Sequence, residues 1–361
     1  MIFISYSRED AGYAGELVRA LKEQQFAIAK DPPLIEGDPF WRSQVKQTFE
    51  KCEVMLILWS VAASISPWVD EEVRAFSSMK IFIRLDETLI PQVNNMAAVE
   101  RQDVEPVLKK LQVPKTDYPT IEHQPEQEIK ELRNNRFKEW QHKFLQLNDS
   151  KSQIQNLTQI SADEWMLSNG LIFKPAVANF KNNSKYTVLL STIPVTNKQY
   201  LQFIEEVNWP APAVWQAPGF NEADAPVAGL NWFEARAYSK WIGGDLPTEE
   251  IWETAAKGGC NGIEFATNDG TLSSANSSFN NVFGEGKPVN PKIYPPNKNG
   301  FYGMAGNIWD WCADNSGPHC IIKGGGNMDS ENFCKISSCY RNLPIDRDCS
   351  VGFRVMMYLK N

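Results

Sequence analysis

The sequence predicts an α/β domain built on a parallel sheet, followed by an α+β domain of short strands, few helices and ordered loops. Three observations carry this reading. A chain of 361 residues exceeds one ordinary core and suits two domains, at about 150 residues each. The first hundred or so residues alternate apolar runs with amphipathic stretches, and from about Asp163 the texture changes to Gly, Pro, Asn, Ser and Trp. Apolar residues at 42% and charged residues at 22% give the balance of a globular chain with a substantial core.

The first domain opens on an apolar run at residues 2–5. Ala14, Leu17, Val18 and Leu21 then recur at helical spacing and mark one buried helix face. The alternation continues through a strand at residues 26–29, a helix near 40–51, a strand at 54–59, a helix near 68–78 and a strand at 81–85. Strands that are apolar almost throughout and joined by helices imply a parallel sheet covered on both faces. In such sheets the loops at the carboxyl ends of the strands gather into a cleft, here residues 6–10, 30–38 and 60–67.

Those loops carry three ordered stretches: Phe3-Ile4-Ser5-Tyr6-Ser7 with Arg8, Glu9 and Asp10; residues 31–41 with Ile35-Glu36-Gly37-Asp38; and Ser66-Pro67-Trp68-Val69-Asp70-Glu71-Glu72. Together they resemble the TIR family over roughly residues 1–115, which implies a flavodoxin-like parallel sheet. The resemblance further implies cleavage of NAD+, with Glu72 as the catalytic carboxylate. Arg8, Glu36 and Phe40 would line the NAD+ pocket, and Trp68 would anchor the helix or flank the base. A carboxylate suits this chemistry because loss of nicotinamide leaves an oxocarbenium-like ribose. A second reading stays open: Asp70, Glu71 and Glu72 would complement a helix dipole, Ser66 or Ser64 would cap that helix, and the domain would only assemble with other TIR domains.

Residues 116–161 read as a charged helical linker, in which Ile129, Leu132, Phe137, Trp140, Phe144 and Leu147 form one apolar stripe. Such a stripe packs on a neighbouring domain or mediates self-association. The second domain, residues 162–361, holds eight of the chain's 12 Trp: Trp165, Trp209, Trp215, Trp232, Trp241, Trp252, Trp309 and Trp311. Helices are expected at residues 196–207, at 233–242 and after Pro247, where Thr248 caps and Glu249 and Glu250 favour the N-terminus.

Five ordered motifs lie in this half: Pro194 to Tyr200, Leu246 to Glu253, Gly300 to Trp311, Lys323-Gly324-Gly325-Gly326 and Gly352-Phe353-Arg354. They resemble the formylglycine-generating enzyme (sulfatase-modifying factor) family, a variant of the C-type lectin fold. Enzymes of that family bind copper through a cysteine pair with four residues between, a spacing that Cys334 and Cys339 share. Counted from Lys323-Gly324-Gly325, however, Cys334 falls at the second cysteine's place and Asp329 at the first's, so copper oxidase chemistry is not expected. The sulfoxide-synthase branch needs a histidine-rich iron site, and His123, His142 and His319 lack ligand spacing. A calcium site is expected instead from Gly306, Ile308 and Asp310, although Gly303 stands where a side-chain ligand is usual and Asp310 could simply bond nearby backbone.

Residues 327–350 are similar to the variable segment of proteins diversified by diversity-generating retroelements. This predicts a ligand-binding surface of Asn327, Asp329, Glu331, Asn332, Phe333, Asn342, Asp346 and Asp348. A net charge of −8 without a Lys/Arg run argues against nucleic-acid binding, and no apolar stretch reaches membrane-spanning length. Seven cysteines, an odd count, fit reduced thiols in a cytoplasmic protein. The combined expectation is a bacterial or phage sensor and effector: the second domain binds a protein or small-molecule ligand, and the first hydrolyses NAD+ on assembly. The alternatives are a non-catalytic scaffold and, third, a copper-dependent oxidase.

Overall fold

The computed structural model describes residues 1–7, 10–23, 26–29, 45, 47–64, 66–85, 88, 96–100, 126–149, 157–176, 186–281 and 287–360. Its contacts divide the described residues into two compact units, one before residue 124 and one from there onward.

The first unit comprises β1 (Ile2–Ser5), α1 (Ala11–Glu23), β2 (Val54–Trp59), a helical turn at Val61–Ser64, α2 (Pro67–Ala75), β3 (Met79–Arg84) and β4 (Met96–Glu100). The strands form one parallel sheet in the order β1-β2-β3-β4, with Ile4 opposite Leu56, Ile57 opposite Phe82 and Ile83 opposite Val99. Every residue of β2 is buried, as expected of a central parallel strand. Ile2 and Ile4 pack with Ala14, Leu17 and Leu21 of α1. On the opposite face Phe3 meets Phe49 edge-on at 4.9 Å, and Phe49 meets Phe76 at 5.2 Å.

Two expectations change in detail. The strand expected at 26–29 is described as bridge residues at Phe26 and Ile28, the latter pairing in parallel with Ile2, and β4 escaped notice because Ala97 and Ala98 give its run little apolar bulk. Of the helix expected near 40–51, residues 45 and 47–49 are helical, and residues 40–44 and 46 lie outside the described residues. Ser66, with Pro67 behind it, is the serine that caps α2, accepting from Val69 N at 3.4 Å.

The second unit comprises α3 (Glu126–Asp149), β5 (Thr158–Gln159), β6 (Trp165–Met166), β7 (Ile172–Pro175), β8 (Tyr186–Ser191), α4 (Asn197–Val207), α5 (Trp232–Trp241), α6 (Glu249–Lys257), β9 (Trp309–Ser316), β10 (His319–Lys323), β11 (Cys339–Asn342), β12 (Val351–Phe353) and β13 (Met356–Lys360). Its sheets run β13-β8-β7-β6-β5 and β11-β10-β9-β12. All these pairings are antiparallel except β12 with β9.

Caps fix the helices. Thr196 with Gln199 and Asn231 with Glu234 form capping boxes, and Thr248 accepts from Ile251 N at 3.2 Å. The core is aromatic: Tyr200, Phe203, Tyr238, Trp241 and Phe353 touch one another in ring contacts of 5.4 to 6.3 Å. Gly325, at φ +76°, lies so close to Cys334 that a Cβ would meet its Sγ at 2.8 Å.

Arg354 ties these parts together. Its fully buried guanidinium donates from Nε to Asp310 Oδ2 at 2.8 Å and from Nη1 to the carbonyls of Thr192 and Ser191 at 3.0 and 3.3 Å. Nη2 donates to Gly303 O at 2.9 Å and also to Tyr302 O. Trp252 Nε1 of α6 reaches the same Asp310 oxygen at 2.9 Å. Burial pushes the Asp310 carboxyl up and the Arg354 guanidinium down, and each charge opposes that on the other. Lys323 anchors β10 to α6 in the same way, through Glu253 at 2.9 Å and Glu249 at 3.3 Å.

The expected apolar stripe of α3 packs within the second unit, against α5. Phe137 meets Phe233 at 5.4 Å, Phe144 meets Phe233 at 6.4 Å and Trp140 meets Trp209 at 6.3 Å. Leu147 joins this cluster, whereas the side chains of Ile129 and Leu132 lie outside the described set. Arg347 closes the joint: it lies 4.8 Å over the Trp140 ring and forms a bidentate pair with the fully buried Glu234, donating from Nε at 2.8 Å. Burial raises the Glu234 carboxyl, with Arg347 opposing.

Two outcomes follow for urea unfolding of the full chain monitored by Trp fluorescence. Arg354→Met strands the Asp310 charge and should cost about 3–5 kcal/mol in the second unit's transition; a loss below about 1 kcal/mol would refute the tying role. Arg347→Met should free Glu234 to rise further above its unfolded value. The folded state then binds more protons than the unfolded one, so the variant's deficit should grow as pH rises through the carboxylate range. A deficit flat with pH would contradict this.

Candidate functional site

In a parallel sheet of this kind the strand order reverses beside β1, since the chain passes outward to Ile28 and then returns to β2 on the other side. The crevice at the carboxyl ends of the two strands flanking that reversal is where ligands bind. Ser5 ends β1 and Ser60 follows β2, so both stand at this crevice. Ser5 Oγ donates to Glu72 Oε2 at 2.6 Å, with Ser5 1% and Glu72 8% exposed. Beside them Asp10 Oδ2 accepts from Ser7 Oγ and Ser60 Oγ, each at 2.7 Å, and Ser60 Oγ accepts from Ala63 N at 3.1 Å. These bonds hold the loop after β1 against the end of β2.

Glu72 lies in the second turn of α2. The acid of the first turn is Asp70, which accepts from Arg74 Nε at 2.8 Å and already complements the helix dipole. Of the residues expected around Glu72, Trp68 belongs to α2 by its backbone, and Arg8, Glu36 and Phe40 lie outside the described residues. Ser5, Ser60 and Asp10 were not read as site residues. Their signal was a hydroxyl or carboxylate at the end of an apolar strand or just after it.

In the second unit, the positions expected to carry metals are engaged otherwise. Asp329 is 2% exposed, and its Oδ2 accepts from Trp309 Nε1 and Gly326 N, each at 2.6 Å. Cys334 is buried and Cys339 is exposed at the start of β11. One buried thiol, one exposed thiol and an already bonded carboxylate do not fit the two-thiolate copper site. Asp310 Oδ1 has no hydrogen-bond partner, but the carboxylate is neutralised by Arg354, and Gly306 O accepts from Ile308 N at 2.9 Å. These residues do not fit a calcium ion, which needs several oxygens free to turn to it. Among the described residues, no group of three or more His, Cys, Asp or Glu side chains converges as a metal site requires. Burial pushes the Cys320 thiol up to about 12 and that of Cys52 up to about 11, so neither is a ready nucleophile.

The expected ligand surface divides. Asn327, Asp329, Asn342, Asp346 and Asp348 are buried, contrary to their expected exposure, and four of them have bonds within loops and turns. Asn327 Nδ2 donates to Lys287 O at 2.7 Å, Asp346 Oδ2 accepts from Leu343 N at 3.2 Å, and Asp348 Oδ1 accepts from Ser350 N at 2.7 Å. The physical reason is the shortage of regular ladders here, which leaves backbone N–H groups to be satisfied by side chains. Glu331 and Asn332 are exposed and Phe333 is half-buried, with exposed Cys339 and Arg341 in the same segment.

Two families match the chain. Residues 179–359 match the sulfatase-modifying factor enzyme 1-like domain, and residues 2–123 match the TIR domain. The chain is 30% identical over 208 residues to the serine/threonine-protein kinase pkn1 of Chlamydia pneumoniae, covering 47% of this chain and 32% of that protein. It is 28% identical over 180 residues to the formylglycine-generating enzyme of Streptomyces coelicolor, covering 39% of this chain and 57% of that enzyme. The chain thus spans less than two thirds of the length of either relative. Among solved structures, Treponema denticola variable protein 1 aligns with 56% of this chain and 98% of its own, at 18% identity and a TM-score of 0.40. The first unit is a flavodoxin-like TIR fold and the second a C-type lectin-like, formylglycine-generating enzyme fold. Through residues 179–359 the chain belongs to the sulfatase-modifying factor enzyme 1-like family, and it carries a TIR domain at residues 2–123.

Proposed function

We propose that the chain is a sensor and effector in which the second domain recognises a ligand and the TIR domain, assembled with other copies, hydrolyses NAD+. The observation that carries the reading is the buried Glu72 carboxylate, held by Ser5 at the carboxyl end of β1. Water adds to the nicotinamide-bearing ribose carbon as the bond to nicotinamide breaks. Nicotinamide leaves with the bonding pair as a neutral base, ADP-ribose forms, and the water's proton is released. Glu72 stabilises the positive charge that builds on the ribose during this exchange. Arg8, Glu36, Phe40 and Trp68 complete the proposed pocket.

A helix-dipole role accounts poorly for Glu72, because Asp70 fills that role and a buried carboxylate costs stability unless something recompenses it. For the second domain, the displaced thiol pair favours recognition over oxidation, with Glu331, Asn332, Phe333 and Arg341 offering the accessible face.

Purified full-length protein, clustered through a fused oligomerising tag, should release nicotinamide from NAD+, and Glu72→Ala should slow this about 100-fold or more. Equal rates in the two proteins would sink the assignment, and no turnover with retained self-association would favour a scaffold. Incubated with copper and a cysteine-containing peptide, the chain should form no formylglycine; conversion that Cys334→Ser abolishes would restore the oxidase reading.

A further inference from the structure

We infer that Asp10 forms a ribose subsite of the crevice, with one carboxylate oxygen accepting from the vicinal hydroxyls of a nucleotide sugar; this rests on the hydrolase reading of the TIR domain. The chain places Asp10 directly before α1 and Ser60 directly after β2. Both therefore stand at the carboxyl ends of the two strands that flank the reversal in strand order.

The two serines spend their protons on a single oxygen. Ser7 and Ser60, each 6% exposed, donate to Asp10 Oδ2 at 2.7 Å. Ser60 Oγ also accepts from Ala63 N at 3.1 Å, and Asp10 N donates to Ser7 O at 3.0 Å. Closure of the loop is thus served by Oδ2 and by the backbone. An ionised carboxylate offers acceptor positions on both oxygens. Among the described residues, none donates to Asp10 Oδ1, no cation pairs with the group, and neither oxygen accepts from the first N–H groups of α1. Asp70 on α2 differs, since its charge meets Arg74 at 2.8 Å.

The clamp calls for an acceptor oxygen at this position but not for a charge. An asparagine carbonyl would accept both serine protons in the same shape, without the desolvation that a half-buried charge incurs. With both hydroxyl protons committed, what the cluster still offers is acceptors, chiefly Asp10 Oδ1. Such a surface selects a ligand that brings donors and repels the diphosphate of NAD+, which brings only acceptors and negative charge. The riboses bring adjacent O–H groups. In dinucleotide-binding parallel sheets an acidic side chain bonds the ribose 2′-hydroxyl in this manner, and Asp10 supplies such a carboxylate at the corresponding crevice.

Calorimetric titration of the full-length protein with ADP-ribose, which keeps both riboses but has lost nicotinamide, tests the subsite apart from turnover. Two analogues, each lacking the 2-hydroxyl of one ribose, are titrated alongside. The wild type should bind ADP-ribose about tenfold more tightly than one of the analogues, the effect of losing a hydrogen bond to a charged group. Asp10→Asn, which keeps an acceptor for the serines, should bind ADP-ribose about tenfold more weakly and no longer distinguish it from that analogue. A wild type that binds all three ligands equally, or none, overturns the inference, and this comparison holds even if the variant fails to fold. A folded Asp10→Asn protein that keeps the wild-type preference overturns it too, as does binding that EDTA abolishes, which would place a divalent cation at the carboxylate. Nicotinamide release by a wild type without the preference removes the subsite and leaves the hydrolase reading. The expected preferences without nicotinamide release remove hydrolysis and leave a nucleotide-binding TIR domain.

Discussion

The second domain depends on one buried cation. Arg354 offers five N–H donors in a rigid fork, and the structure satisfies them with one carboxylate and four backbone carbonyls drawn from three separate segments. Residues 191–192 end β8, residues 302–303 lie in a loop and Asp310 belongs to β9, so a single side chain fixes the end of one sheet against a strand of the other. Loops without ladders leave carbonyls that water would otherwise satisfy, and a guanidinium supplies the missing donors where water is excluded. Removing either charge alone would strand the other, which is why Asp310 belongs to the architecture here and not to a cation-binding loop.

The same constraint explains which features could be read from the sequence. The helices of the second domain were legible because their caps are local: Thr196 with Gln199, and Thr248 ahead of Glu249, declare a helix start within four residues. Asp329, Asp346 and Asp348 were misread as surface because their partners are set by the tertiary fold or by turns. An aspartate that closes a turn onto Gly326 N and Trp309 Nε1 looks, in sequence, like one that faces solvent. Arg347 and Glu234, 113 residues apart, could not be paired from spacing at all.

In the first domain the legible part was the apolar alternation, which placed β1, β2 and β3 to within two residues. β4 lacked such a signal, since Ala97 and Ala98 are weakly apolar. Glu72 could be named from its spacing to Trp68, but not its environment. That required the fold to bring Ser5, 67 residues earlier, within hydrogen-bond distance.

The two domains thus place their polar chemistry in opposite ways. In the second, carboxylates at the positions that would bind metal are each tied to structure: Asp310 holds Arg354 and Trp252, and Asp329 holds Trp309 and Gly326. Such groups cannot turn to a ligand without undoing the loops they organise. In the first, the Ser5–Glu72 pair lies at the end of the β1 face that carries Phe3, beside the reversal in strand order that creates a crevice in parallel sheets. A buried carboxylate at the carboxyl end of a parallel strand stands where this kind of fold binds ligands, and such placement favours a functional role. On that ground, the proposed hydrolysis is assigned to the first domain and the proposed recognition to the second.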